Sequence, residues 1–202
     1  ISAGGTQEPI DPVRMITNRS SGKMGYALAE ASRDRGATVI LITAPTAIPT
    51  PAATHVIQVK TAQEMCDAVL NESKKADVLI MAAAVADYKP VNAADQKIKK
   101  SEDHLNIQLT KTMDILEPSP ANMIKVGFSA ESENLIDNAK SKVSKKSLDL
   151  IVANDITDPD SGFGIDTNKV VLIDRDHHIE ALPVMSKYQV SHHILDRVVS
   201  LL

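Results

Sequence analysis

Aromatic side chains are almost missing from this sequence: two Phe, three Tyr and no Trp in 202 residues. A core without rings must be filled by Ile, Leu, Val, Ala and Met, and the 43% apolar share is that expected of a soluble globular protein. The single cysteine, Cys66, excludes an internal disulfide and a thiolate zinc site, so a reducing compartment is expected. It lies in the amphipathic run Thr61 to Leu70, where a buried helical thiol is the reading rather than a nucleophile. Positive charge is not in excess either. A net charge of -4 argues against general affinity for nucleic acid or an anionic membrane surface. No apolar run is long enough to span a bilayer and no signal peptide is visible. Ile1 to Ala3 reads as the tail of a strand, so the native start is expected upstream.

What is present centres on Thr17 to Gly25, a small polar turn running into a helical pattern at Met24, Ala27, Leu28 and Ala31. The first backbone N–H groups of such a helix lack intrahelical partners. With the hydroxyls of Ser20 and Ser21, Gly22 and Lys23 beside them, they suit a phosphate or carboxylate. An ordinary N-cap, with Ser20 or Ser21 satisfying its own helix, explains the same residues without a ligand.

The rest of the chain alternates strands and helices. The opening helix should end near Gly36, followed by buried strands over 38–43 and 55–59. Thr61 and Glu64 form a capping-box pair ahead of a helix to about Ser73, and a strand over 77–82 leads into Ala83 to Tyr88. Small residues at a strand's C-terminal end would let a flat ligand approach the backbone; a strand simply overrunning into its helix is the alternative. Lys97 to Lys100 and Leu105 to Thr110 read as two alternating strands around a turn at Ser101 to His104, an inserted hairpin flap over about 95–111. Its lysines fit either a site or ordinary edge protection.

A strand over 123–130 brings Phe128 to its C-terminal end, as core or as a stacking surface. A helix over 131–146 follows, with Lys142 and Lys146 one turn apart on one face; favourable placement at a helix C-terminus is enough to explain them. After a strand over 148–153, ending in Asn154 and Asp155, come a turn-rich loop at 158–168 and an antiparallel pair over 169–174 and 179–182. Ser186 and Gln189 open a last amphipathic helix. The six histidines show no metal spacing. This is the rhythm of an α/β, Rossmann-like, doubly wound and mainly parallel sheet forming one domain over 1–202. Ligands in such sheets sit beyond the C-terminal strand ends, where Gly4-Gly5, Ala83 to Asp87, Phe128 and Asn154-Asp155 would all gather.

Seven ordered stretches carry a resemblance along nearly the whole chain: Ala3 to Thr6, Pro9 to Arg14, Asn18 to Gly25, Ala82 to Tyr88, Lys97 to Lys100, Val126 to Phe128, and Leu148 to Asp155. Together they resemble the phosphopantothenoylcysteine synthetases, the phosphopantothenate–cysteine ligases of coenzyme A synthesis. The resemblance implies a cytoplasmic homodimer that uses CTP with Mg²⁺. The carboxylate of 4′-phosphopantothenate would attack the α-phosphate, giving an acyl cytidylate and pyrophosphate, and the amine of cysteine would then displace CMP. Asn18 would orient the acyl group and stabilise the oxyanion. Lys97, on the flap and from the partner subunit, would meet the triphosphate. The same resemblance gives Ala83 the cytosine and Asp87 the ribose or metal side, with Ser20, Ser21 and Gly22 cradling phosphates. Asp114, Ile115, Phe128, Lys142 and Lys146 would contact the nucleotide; it assigns no metal ligands here.

The chain departs from that pattern in two places. Thr112-Met113-Asp114-Ile115 stands where the family has Asn-Pro-Asp-Ile, and Glu117 to Met123 is shorter than expected. The N-terminal flavin-dependent decarboxylase domain common in bacterial forms is not in this sequence. A nicotinamide-dependent reductase is the chief rival, but Gly4-Gly5-Thr6 does not continue into the dinucleotide glycine spacing. A non-catalytic nucleotide-binding module is the other rival, and it would have no need of Asn18.

Overall fold

The computed structural model describes residues 1–100, 104–155, 157 and 164–202. Residues 101–103 of the expected turn and 158–163 of the expected loop lie outside the described residues. The central sheet has eight strands: β1 (Ser2–Ala3), β2 (Ile40–Thr43), β3 (His55–Gln58), β4 (Val78–Met81), β5 (Ile124–Glu131), β6 (Leu150–Asp155), β7 (Val170–Asp174) and β8 (Ile179–Ala181). Their order is β3-β2-β1-β4-β5-β6-β7-β8. The first six in that row run parallel, while β7 and β8 form an antiparallel extension. The order reverses between β1 and β4, and such a switch point leaves a crevice at the C-terminal strand ends.

Among the described residues, four α-helices cover the two faces: α1 (Lys23–Asp34), α2 (Ala62–Glu72), α3 (Leu135–Lys146) and α4 (Lys187–Leu201). Side chains alternate across the strands. Leu79, Ile151 and Ile173 pack with Met65, Val69 and Val143 of α2 and α3. Their neighbours Ile80, Leu150, Val152 and Leu172 pack with Leu28, Val190 and Ile194 of α1 and α4. Both layers are aliphatic, as the scarcity of rings requires, and Cys66 is buried within the first. Burial also pushes its thiol pKa up.

Helix ends follow local chemistry. Gly36, at φ 85°, closes α1: its N–H reaches the Arg33 carbonyl at 2.8 Å and that of Ala37 reaches Ser32 at 3.1 Å. Thr61 caps α2 through the Glu64 N–H, and Ser186 with Gln189 completes a capping box on α4. The start of α1 differs from the simple cap. Its N-cap is Gly22, at φ 79°, with no side-chain hydrogen bond. The hydroxyls of Ser20 and Ser21 instead accept from Gly22 N–H (3.3 Å) and Lys23 N–H (3.5 Å), within their own turn.

The expected flap needs one correction. Lys97 to Lys100 form no strand. The arm Leu109–Lys111 pairs antiparallel with Tyr88–Pro90, so the ribbon lies one segment earlier than the alternation suggested. The cause is Ile98. Its N–H donates to Asp11 Oδ2 (3.1 Å) and its carbonyl accepts from Arg14 Nη2 (2.8 Å), leaving its backbone engaged by side chains rather than by a strand. The Ala94 N–H adds a bond to the Ile10 carbonyl at 2.9 Å. Asp11 is buried, and the Arg14 guanidinium beside it holds its carboxyl well below the usual range.

Candidate active site

The switch point is stitched together by backbone. Beyond β1, Gly5 forms a parallel bridge with Ala84; Ala84 N–H donates to the Gly4 carbonyl at 2.8 Å and Thr6 N–H to the Ala84 carbonyl at 3.3 Å. Gly5 admits no side chain, since a Cβ there would stand 2.9 Å from the Asn18 carbonyl oxygen. That contact lets the Asn18 turn lie directly on the first loop. Asn18 Nδ2 then donates to the carbonyls of Ala84 (3.4 Å) and Val85 (3.2 Å). The side-chain amide is therefore aimed, with its nitrogen towards the backbone, and donation to a reaction oxyanion requires it to exchange one of these bonds. The 3.4 Å contact is the weaker of the two.

A cleft of about 700 Å³ opens at this point. Of the residues singled out from the sequence, Asn18, Ala83, Asp87, Asp114, Ile115, Phe128, Lys142 and Lys146 all line it. Phe128 is half-buried within β5, which runs on to Glu131 rather than having Phe128 at its end as expected, and Lys142 and Lys146 project from one face of α3. Each lysine meets a carboxylate. Lys142 Nζ lies 2.6 Å from Glu131 Oε1 and 2.7 Å from Ser129 Oγ, and Lys146 Nζ lies 3.1 Å from Asp114 Oδ2. Burial pushes the Glu131 carboxyl up, but hydrogen bonds from Lys142, Ser129 and Asn138 outweigh it, and the net shift is downward.

Ser20, Ser21, Gly22 and Lys97 do not line the cleft. The serine turn sits behind the first loop, where a Cβ on Gly22 would stand 3.4 Å from Gly4 N. Lys97 is exposed, on the segment held by Asp11 and Arg14. Nor do Asn154 and Asp155 reach the cleft; Asn154 is buried in β6. Conversely, Arg19, Tyr88, Lys111 and Thr112 line it without having been singled out. Arg19 and Tyr88 adjoin chosen residues, and Thr112 had stood out only as a departure from a pattern.

For a divalent cation, the carboxylates of Asp87 and Asp114 are the acidic side chains of the cleft lining. Two carboxylates suit Mg²⁺, which keeps much of its water and shares phosphate oxygens. Among the described residues, one tighter group of potential ligands, Asp174, Asp176 and His178, stands elsewhere. Asp174 pairs with Leu150 at the N-terminal end of β6, the opposite end of the sheet, and its carboxylate already binds Arg197 at 2.8 Å.

The whole chain, residues 1–202, matches the family described as DNA/pantothenate metabolism flavoprotein C-terminal domain. The coenzyme A biosynthesis bifunctional protein CoaBC of Bacillus subtilis is 44% identical over 205 residues, covering 100% of this chain and 50% of that protein. A cysteine/cysteine sulfinic acid decarboxylase from an unknown prokaryotic organism is 40% identical over 206 residues, with 100% and 57% covered. Among solved structures, the C-terminal domain of a coenzyme A biosynthesis bifunctional protein CoaBC superimposes with a TM-score of 0.84 at 37% identity, covering 99% of this chain and 92% of that one. The chain thus spans about half the length of the curated relatives it matches.

Proposed function

The chain belongs to the family of DNA/pantothenate metabolism flavoprotein C-terminal domains, and from that membership we propose that it ligates 4′-phosphopantothenate to cysteine, consuming CTP. Its relatives CoaBC are named for coenzyme A biosynthesis and for two activities, and its structural counterpart is their C-terminal domain. Decarboxylation, the activity named for another relative, belongs on this reading to the remainder of the longer protein.

The observation that carries the proposal is convergence. Asn18, the Ala83–Asp87 backbone, Phe128 and the two α3 lysines come from four distant segments and line one cleft at the switch point. A carboxylate attacking a triphosphate brings negative charges together, so catalysis must consist largely of positioning and charge stabilisation. Lys142 and Lys146 would hold the phosphates, exchanging their present carboxylate partners for phosphate oxygens. A phosphopantothenate carboxylate oxygen would bond to the α-phosphorus as the bond to pyrophosphate breaks. The cysteine nitrogen would then bond to the acyl carbon, CMP would leave, and the amine would give up its proton. Asn18 would hold the acyl oxygen through that second step. Asp87 and Asp114 would hold Mg²⁺, which supplies neutralising charge on the phosphates when bound.

The proposed assembly is a homodimer in the cytoplasm. Tyr88, Val91, Leu105, Ile107 and Leu109 are exposed large apolar side chains on the ribbon and its flanks, and Val13 and Met15 are exposed on the neighbouring hairpin, whose strands are Gln7–Pro9 and Met15–Thr17. Apolar surface concentrated in this way favours a protein partner. Lys97 stands away from its own cleft, which fits a role in the neighbour's. Among the described residues no helix is long and apolar enough to cross a membrane.

The test is turnover with phosphopantothenate and cysteine, comparing CTP with ATP. Pyrophosphate should appear from CTP only when phosphopantothenate is present, and cysteine should be consumed. Absence of pyrophosphate with either nucleotide would overturn the ligase reading and leave a binding module.

A further inference from the structure

A continuous line of hydrogen bonds runs through the site on three threonines. Thr17 Oγ1 donates to the Thr6 carbonyl at 2.8 Å. Thr6 Oγ1 accepts from Ala86 N–H at 2.9 Å, and Thr112 Oγ1 donates to the Ala86 carbonyl at 2.6 Å. Thr112 N–H adds a bond to the Asp87 carbonyl at 2.9 Å. The Ala86 residue is therefore gripped at both its amide and its carbonyl by hydroxyls from opposite sides. Two of the threonines and the residue they grip stand beside residues of the cleft: Thr17 precedes Asn18, Thr112 is two positions before Asp114, and Ala86 precedes Asp87.

These contacts are built rather than incidental. Thr6 is fully buried, so its hydroxyl cannot be replaced by water as partner of the Ala86 N–H. The bond from Thr112 is the shorter of the pair on Ala86 and runs from a side chain to a main-chain carbonyl 26 positions earlier. A β-branched threonine also has few rotamers, so its hydroxyl is placed with little loss of side-chain freedom. No described hydrogen bond or ion pair reaches the exposed Asp87 carboxylate, so its main chain, held by the Thr112 N–H, is what anchors the position from which that side chain extends.

We propose that Thr112, working with Thr6, is a positioning residue: it clamps the Ala86–Asp87 backbone and thereby sets the spacing of Asn18, Asp87 and Asp114 across the cleft. The kinetic consequence rests on the ligase reading above; the structural consequence does not. Misplacement of a reacting group by about 1 Å costs on the order of a hundredfold in rate. Thr112→Val keeps the shape and removes the hydroxyl, while Thr112→Ser keeps the hydroxyl.

The experiment uses the whole chain in two arms. In the first, without ligand, the Asn18 side-chain amide and the Ala84–Asp87 backbone resonances are followed by NMR. Thr112→Val should shift both sets, and Thr112→Ser should return them close to the parent positions. Unmoved resonances in Thr112→Val overturn the proposal whatever the chain catalyses, and Thr112→Ala serves if the valine variant does not fold. In the second, Thr112→Val should lower kcat/KM for CTP by roughly ten- to a hundredfold. That loss should shrink in an Asp87→Asn background, because a residue acting through Asp87 has little left to position there. A full, additive loss in that background overturns the route through Asp87. A parent chain inert towards CTP would count against the ligase reading alone, with the NMR arm still deciding the clamp.

Discussion

Asn18 and Val85, 67 positions apart, are joined by a 3.2 Å hydrogen bond from the side-chain amide of the first to the carbonyl of the second. This bond lays the turn before α1 across the loop after β4. It also fixes which end of the amide faces the backbone, because two carbonyls on one side demand a donor there. Asn18→Asp would set a carboxylate against those carbonyls and remove the donor. The variant should still release pyrophosphate from CTP but form no amide bond with cysteine. Amide product at the parental rate would remove Asn18 from the second half-reaction.

Lys142 already has two partners, Glu131 and Ser129, that hold its ammonium at the cleft wall. A charge-assisted hydrogen bond contributes about 1.5–3 kcal/mol. Lys142→Gln should therefore raise the CTP dissociation constant by roughly ten- to a hundredfold, with a melting temperature near the parent's. Calorimetric titration checks this, and an unchanged constant would place the phosphates elsewhere.

Lys97 is exposed and outside its own cleft. If it completes the neighbour's site, Lys97→Gln should reduce turnover while leaving the dimer and its melting temperature intact. Mixing it with an Asn18→Asp chain should then restore activity in hybrid dimers, since one cleft would be whole. A mixture no more active than its parts would rule out sharing between protomers.

Gly25 sits where α1 crosses β1. A Cβ added there would stand 2.6 Å from Ala3 Cβ and 2.8 Å from the Ser2 carbonyl oxygen. The obstacle is largely main chain, so the helix itself must move. Gly25→Ala should cost on the order of 1–3 kcal/mol, as overpacking does, despite the better helix propensity of alanine. Urea unfolding measures it; a gain in stability would show that α1 stands further from β1.

Asp11 accepts from Arg14, from the N–H groups of Val13 and Arg14, and from Ile98 N–H. Its carboxyl titrates well below the ordinary range, first because of the Arg14 hydrogen bond. A depressed folded-state value means that the stabilisation is complete above the unfolded value, near pH 3.9, and fades as pH falls towards the folded one. Asp11→Asn should be less stable than the parent at pH 7, and the difference should narrow below about pH 4. Equal urea midpoints at pH 7 would mean that this anchor adds nothing.

The helices and buried strands were legible because burial on two faces leaves a composition that periodicity reveals. Leu150 to Ala153 could hardly be other than an inner strand, and Gly36 announced the end of α1. The ribbon was misread because alternation in Lys97 to Lys100 resembles a strand. Nothing local reports that Asp11 and Arg14, more than 80 positions away, take the hydrogen bonds of Ile98. The cleft was legible in part. The α3 lysines share a helix face, which spacing can show, whereas Asn18 was singled out only through the resemblance. Thr112 escaped because its role is to hold a neighbour's main chain, and such a role leaves no mark in residue type.

One excursion of the chain, from the end of β4 to the start of β5, supplies both the cleft-facing main chain and the outward apolar ribbon. Remodelling the exterior of that excursion therefore pulls on the wall that ligands meet. Sequence drift at a contact with another molecule would be felt as altered chemistry, and drift in the chemistry as altered company. Two properties that most architectures let vary separately are, in this one, inherited together.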